Sequence, residues 1–316
     1  MKAAVVRDFD QGPRFDSFEL PFKEGDLMLD VLAAALSPRV RSGASGAHYT
    51  STGVLPLVPG IDGVGRLPDG RRVYFVGAND VVGTMAEKAL AEPRLTVPLP
   101  ENVSSSTIAA GMLPAISSWV GLTKRVPIEP AQSVLVLGAT GTAGLLAVQI
   151  AKHLGAGNVI AVGRDADALE STRALGAAQV VRLTGAKADA DAVAQVASEV
   201  DIVLDYLWGG VTSALMPALC RHREAESRAL HWVLIGSVAG DEIALPSVIL
   251  RKRNLHILGS GQGATSTADM FSVSADIVAA FAAGALAVRA RDVPLADVAN
   301  WWSAPLASGE RLVFIP

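Results

Sequence analysis

The run Val134-Leu135-Val136-Leu137-Gly138-Ala139-Thr140-Gly141-Thr142-Ala143-Gly144 narrows the possible folds more than any other stretch of this 316-residue chain. A continuous apolar run suits a strand buried on both faces, the glycines suit a sharp turn, and a helical pattern follows at once. In that helix Ala147, Ile150, Ala151 and Leu154 fall at the spacing of one buried face. Lys152 and His153 occupy its last turn, where the helix dipole favours cations, and Gly155 supplies a left-handed stop. Such a turn aims backbone N–H groups and the positive end of the dipole at one spot, where a pyrophosphate binds. The expected cradle is Ala139, Thr140, Gly141, Thr142, Ala143 and Gly144, with Gly141 admitting the ligand and Gly144 letting the helix pack on the strand. Ala139 stands where the regular pattern has its first glycine. The plain alternative is a strand-to-helix turn without a ligand.

Around this motif, strand-like runs alternate with helical ones from Pro127 onward: Val134–Leu137, Val159–Val162, Val180–Leu183, Ile202–Leu204 and Trp232–Ile235. That alternation predicts βαβ units and a doubly wound parallel sheet, the Rossmann arrangement. Before Val120 the pattern is different, with short β-rich runs (Ala3–Val6, Leu27–Val31, Val73–Val76) between Gly and Pro clusters. The chain therefore reads as an α/β protein of two domains, a β domain over 1–121 with 265–316 and a Rossmann domain over 122–264. Its closing run Arg311–Ile315 is expected to rejoin the first domain.

A Rossmann domain specific for NAD ends its second strand on an acidic residue that holds the ribose 2′-hydroxyl. Here Val159-Ile160-Ala161-Val162 runs into Gly163-Arg164. A glycine leaves room and an arginine supplies charge for a 2′-phosphate, so NADPH is the expected cofactor. Asp165 is the counter-argument, because a strand one or two residues longer would bring it to the ribose. Arg164 also has a bland reading as an exposed helix-start residue. Ligands of open α/β sheets lie beyond the carboxyl ends of the strands, so Tyr206, Gly236, Ser237, Val238, Ser260 and Gly261 are further cofactor candidates. Trp208 divides between core packing and a contact with cofactor or substrate.

Composition removes several alternatives. A formal net charge of −4 gives no general attraction to phosphate backbones or anionic lipid, so nucleic acid and membrane are not expected partners. The alanine-rich stretch Ile277–Ala290 is shorter than the roughly 20 apolar residues of a membrane span. The N-terminus meets Arg7 and Asp8 before a long apolar run develops, which argues against a secretory signal. The single cysteine, Cys220, forms neither a disulfide framework nor a multi-thiolate metal site and fits a reducing, cytoplasmic setting. It lies on an apolar helix face and reads as an inert buried thiol. His153, His222, His231 and His256 share no metal-ligand spacing.

In order and spacing, Pro59-Gly60-Ile61-Asp62-Gly63-Val64-Gly65, Gly83-Thr84-Met85-Ala86-Glu87, Leu113-Pro114-Ala115, the Ala139–Gly144 turn, Leu175-Gly176-Ala177 and Arg311-Leu312-Val313 resemble the medium-chain dehydrogenase/reductase superfamily over nearly the whole chain. Its zinc enzymes place a cysteine shortly after a proline and a His-Glu pair in the Pro-Gly segment. The corresponding positions here are Val40 and Ile61-Asp62, and neither Val40 nor Ile61 can ligate zinc. The resemblance is thus to the zinc-independent quinone oxidoreductases. It implies a GroES-like β domain beside the Rossmann domain, NADPH, a homodimer, and a quinone or an α,β-unsaturated carbonyl as hydride acceptor. These quinone oxidoreductases have an Asn-Pro-x-Asp-x-Tyr-like segment, but this chain reads Ser37-Pro38-Arg39-Val40-Arg41-Ser42. Tyr49 and Ser42 are the catalytic candidates that remain, with His48 and Arg41 as alternatives and an ordered loop as the bland reading. A catalytically silent NADPH-binding regulator is the competing class of function.

Overall fold

The computed structural model describes residues 1–79 and 81–316, which gather into two units, 1–113 with 274–316 and 114–273. The early β-rich runs become β1 (Lys2–Val5), β2 (Arg14–Ser17), β3 (Leu27–Ala35), β4 (Asp62–Arg66), β5 (Arg72–Gly77) and β6 (Lys88–Pro98), with a short helix, α1 (Pro38–Ala44), after β3. Helix α2 (Ser105–Val120) carries the chain across the division between the units.

The second unit alternates as its sequence predicts: β7 (Ser133–Leu137), α3 (Thr142–His153), β8 (Asn158–Gly163), α4 (Ala166–Ser171), β9 (Gln179–Arg182), α5 (Asp189–Ala197), β10 (Ile202–Asp205), α6 (Gly209–His222), β11 (Leu230–Leu234), α7 (Ser247–Lys252), β12 (Leu255–Gly259) and α8 (Thr267–Ser272). The chain returns to the first unit through α9 (Ser274–Ala282), β13 (Arg289–Pro294), α10 (Val298–Trp301) and β14 (Glu310–Ile315).

The second unit's six-stranded sheet has the order β12-β11-β10-β7-β8-β9, and all its pairings are parallel. This doubly wound order reverses between β7 and β10, which is where such sheets open a crevice for ligands. The central strands are dry on both faces: Val134, Leu135, Val136 and Leu137 are each 0% exposed. Each such side chain contributes about 1.5–3 kcal/mol by burial, which fixes β7 in the sheet's middle. Helix α3 is buried more widely than its single predicted face, since Leu146, Val148 and Gln149 are enclosed along with Ala147, Ile150 and Ala151. It stops at Leu154, and Gly155 follows with φ +96°.

The first unit's larger sheet runs β13-β14-β3-β4-β5-β6, and β14 pairs antiparallel with β3 through Val313 with Ala35 and Phe314 with Ala34. Its core gathers Leu29, Val31, Phe75, Met85, Leu312 and Phe314. Among the described residues no helix is long and apolar enough to cross a membrane.

Candidate dinucleotide site and acceptor pocket

The turn after β7 has the close packing that its glycines require. Gly138 has φ +90°, and the Gly138 and Ala139 amides donate to the carbonyl of Val162 at 2.9 Å, tying the turn to β8. A Cβ on Gly144 would lie 2.1 Å from the Gly138 carbonyl oxygen, so the first turn of α3 rests directly on the loop. Gly141 is different: its nearest neighbour would be 3.8 Å away, and it is exposed. It is also the N-cap of α3, in extended conformation, and offers no side-chain acceptor to the first-turn amides. A helix start normally receives such an acceptor from Ser, Thr, Asp or Asn. Without a side-chain cap here, the dipole and the turn amides fit an anionic pyrophosphate on the open side of Gly141.

At the end of β8 the structure settles which residue stands where. The strand stops at Gly163, Arg164 is an exposed bend, and Asp165 is the N-cap of α4, its carboxylate accepting from the Ala168 amide at 3.0 Å. The strand does not run on to present Asp165 as its last residue. Gly163 owes its lack of a side chain to Thr140, whose Cγ2 would lie 2.5 Å from a Cβ there. The expected room for a phosphate over Gly163 is thus filled by Thr140, which locks β8 to the glycine turn.

Across the switch point, β10 ends in Asp205, a fully buried carboxylate that sequence reasoning did not single out. Its Oδ1 accepts from the amides of Leu207 at 2.8 Å and Trp208 at 2.9 Å, and its Oδ2 from Thr212 Oγ1 at 2.6 Å and Trp232 Nε1 at 2.8 Å. These bonds hold Trp208 at φ +54°, a conformation that usually costs a non-glycine residue about 1–3 kcal/mol. Trp208 itself packs on the second unit's core. Gly209 follows with φ +57°, and a Cβ on it would fall 2.2 Å from the Ala239 carbonyl oxygen. The loops after β10 and β11 therefore lie against each other, joined by the Ala239 amide to Leu207 O at 2.8 Å.

Tyr206 is 9% exposed, and its hydroxyl lies 3.4 Å from Ser117 Oγ on α2. Burial pushes its phenol up to about 12. In the β11 loop Ser237 donates to Asp241 at 2.9 Å and Val238 is 73% exposed, while Gly236 lies beside Tyr206 O. After β12 the Ser260 amide donates to Leu234 O at 2.8 Å, Gly261 O accepts from Ala264 and Thr265, and Arg125 Nη1 reaches Ala264 O at 3.2 Å. Cys220 is buried in α6, and burial pushes its thiol up.

The first unit carries its own pocket, of about 40 Å³, lined by Val40, Ile61, Arg39, Thr50, Ser51 and Phe9 among others. The two positions that resemble zinc ligands thus share one cavity, with apolar side chains in place of donors. Ile61 is set by packed motifs: a Cβ on Gly83 would meet Gly60 O at 2.4 Å, and Thr84 Oγ1 donates to Asp62 O at 2.7 Å. Behind it Asp62 is enclosed, accepts from the Tyr74 hydroxyl at 3.1 Å, and has its carboxyl pushed up to about 6 by burial. Among the described residues no group of three or more His, Cys, Asp or Glu side chains could hold a metal ion.

Neither Tyr49 nor Ser42 lines this pocket. Tyr49 is 72% exposed with its ring 4.2 Å from that of His48, and the Ser42 hydroxyl donates to Arg39 O at 3.1 Å. Among the polar residues that do line it, Thr50 is held by two neighbours. Its oxygen accepts from Arg39 Nη2 at 2.6 Å and lies 3.0 Å from His48 Nδ1, which also accepts from the Thr50 amide at 3.2 Å. No sequence pattern pointed to Thr50, because its role depends on where the loop folds.

Comparison with known proteins agrees with this architecture. The family model for zinc-binding dehydrogenases matches residues 143–279, a stretch that excludes Val40 and Ile61 and so says nothing of a metal at those positions. An Emericella nidulans protein named "Probable NADPH-dependent quinone reductase tdiC" is 30% identical over 92% of this chain and 92% of its own length. An Arabidopsis thaliana "NADPH-dependent alkenal/one oxidoreductase, chloroplastic" is 30% identical over 49% of this chain and 44% of its own. Among solved structures, a Pseudomonas syringae quinone oxidoreductase superposes with a TM-score of 0.83 at 20% identity, covering 100% of both chains. A mycobacterial protein solved in complex with NADPH gives 0.81 at 23% identity, again covering 100% of both. At such identities the structural likeness speaks to the fold. The chain belongs to the medium-chain dehydrogenase/reductase superfamily, and within it to the quinone oxidoreductase-like members.

Proposed function

We propose that this chain is an NADPH-dependent oxidoreductase that passes hydride to a quinone without a metal ion. The observation that carries the reading is the α3 N-terminus at Gly141, without a side-chain cap beside the sheet's switch point, with Arg164 where an NAD-specific domain has an acid. In this reading Ala139 to Gly144 cradle the pyrophosphate and Arg164 meets the 2′-phosphate. Gly236, Ser237, Val238, Ser260 and Gly261 face the ribose and nicotinamide. The bound nicotinamide supplies the hydride. The Rossmann domain, taken as 122–264, carries the cofactor, and the GroES-like domain, 1–121 with 265–316, carries the acceptor.

The acceptor pocket supports a metal-free reaction, because Val40 and Ile61 bring no donor to it. Alcohol oxidation would need an alkoxide stabilised, the usual task of a Lewis acid. Charge entering a quinone or an α,β-unsaturated carbonyl instead delocalises over the acceptor. We place Arg39 and Thr50, which both line the pocket, beside the acceptor in preference to Tyr49 or Ser42, with the single Thr50 hydroxyl proton turned to His48 Nδ1. An enone is the second acceptor class, favoured by the Arabidopsis relative's name. A homodimer through edge strand β12 is supported by the exposed Ile257, with Val248 and Leu250 exposed on the neighbouring α7. The lone buried thiol fits a cytoplasmic setting.

The test is a tryptophan-fluorescence titration with NADPH and NADH, repeated on Gly141→Asp, followed by absorbance decay on adding a quinone or an enone. NADPH binding that Gly141→Asp abolishes, with turnover on the quinone, is the expected result. Faster turnover on the enone moves the acceptor class, binding without turnover leaves a silent NADPH-binding protein, and no binding overturns the reading.

A further inference from the structure

We propose that Arg182, the last residue of β9, is a second cation for the cofactor's 2′-phosphate, so that a pair of arginines sets the preference for NADPH over NADH. The proposal rests on the cofactor reading above and adds a residue that neither motif nor resemblance marks.

Strands β8 and β9 run parallel with Gly163 opposite Arg182, which puts Arg164 and Arg182 at neighbouring strand ends. There Arg182 Nε donates to the carbonyl oxygen of Arg164 at 3.1 Å. That bond anchors the guanidinium on its inner edge, beside the bend from which the Arg164 side chain leaves. Its terminal Nη1 and Nη2 atoms form the edge that receives a phosphate through parallel hydrogen bonds. Both arginines are exposed, and among the described residues neither forms an ion pair.

The acids that follow each strand end are engaged elsewhere. Asp165 accepts from the Ala168 amide at 3.0 Å, and Asp189 accepts from the Thr184 and Gly185 amides and the Thr184 hydroxyl, each at 2.8 Å. Two like charges carried at adjacent strand ends repel, and a dianion received by both turns that repulsion into attraction. NADH brings no anion to this spot, whereas NADPH does.

The experiment measures dissociation constants of NADPH, NADH, 2′,5′-ADP and 5′-AMP by calorimetry for wild type, Arg182→Gln, Arg182→Lys and Arg164→Gln. Arg182→Gln is expected to weaken NADPH and 2′,5′-ADP at least about tenfold, the loss of a solvent-exposed, charge-assisted pair of hydrogen bonds. NADH and 5′-AMP should hold within about twofold and so report an intact fold. Arg182→Lys should restore part of the loss, since it keeps the charge without the fork. Wild type preferring NADPH while Arg182→Gln keeps the full preference, or loses both dinucleotides equally, overturns this proposal alone. Wild type that binds neither dinucleotide, or both alike, overturns the cofactor reading and this proposal with it.

Discussion

Helices α1 and α3 both begin where a strand runs into a turn, yet their first turns are finished in opposite ways. At α1 the Ser37 hydroxyl accepts from the Val40 amide at 3.1 Å and Pro38 takes the first helical position, so the chain closes that helix start itself. At α3 the cap is Gly141, without a side chain, on a loop packed so tightly that Gly144 admits no Cβ. The first start is finished by its own sequence, while the second has no side-chain cap, as the proposed pyrophosphate site requires.

The comparison can be pressed by mutation, from the largest expected effect to the smallest. Removing the hub behind the second helix start by Asp205→Ala leaves Trp232 Nε1, the Thr212 hydroxyl and the Leu207 and Trp208 amides without their acceptor in a dry core. We expect a loss of about 4 kcal/mol in urea unfolding; a loss under about 1 kcal/mol would show that water replaces the carboxylate. Gly144→Ala drives a methyl into the Gly138 carbonyl and should lose roughly 3 kcal/mol together with NADPH binding. Retained binding would mean the turn is more pliable than its packing indicates.

Behind the first unit's pocket, Asp62 tests electrostatics. Burial pushes its carboxyl up to about 6, whereas in the unfolded chain it titrates near 3.8. Its contribution to stability is thus full below about pH 4 and is lost as pH rises through about 6. Asp16 and Asp69, held below the usual carboxylate value chiefly by hydrogen bonds, act with the opposite sign. The wild-type minus Asp62→Asn difference isolates the effect, and we expect it to shift by about 2–3 kcal/mol between pH 4 and pH 7. A difference that does not vary with pH would place Asp62 in contact with water.

The last two substitutions exchange the treatment of the two helix starts. Ser37→Ala should lower stability by about 1 kcal/mol and leave NADPH affinity unchanged. Gly141→Asp should raise the stability of the ligand-free protein by a few tenths of a kcal/mol, because aspartate caps well, while repelling the pyrophosphate. If Gly141→Asp destabilises the protein and still binds NADPH, the contrast between α1 and α3 fails.

Much of the cofactor side was legible because it is contiguous. The buried strand, the glycine turn and the stop at Gly155 follow one another in the chain, and each carries its own local residue pattern. The same sequence left two questions at the end of β8 unresolved. Whether Asp165 ends the strand or caps the next helix depended on where β8 stops, which the structure places at Gly163, with the Asp165 carboxylate accepting from the Ala168 amide. That Gly163 makes room for Thr140 was invisible, since the two are brought together only by the turn folding back on β8.

The amino-acid order by itself determined the parallel sheet, the glycine turn after β7 and the absence of donors at Val40 and Ile61, because these follow from local periodicity and from side-chain chemistry that no fold can alter. Tertiary structure alone decided that Asp205 is a four-bonded hub, that Arg182 reaches the carbonyl of Arg164, and that Thr50 lines the pocket while Tyr49 lies exposed. Each of those facts joins residues distant in the chain or turns on the path of an irregular loop, where a hydrogen bond is set by strand register and packing rather than by spacing in the sequence.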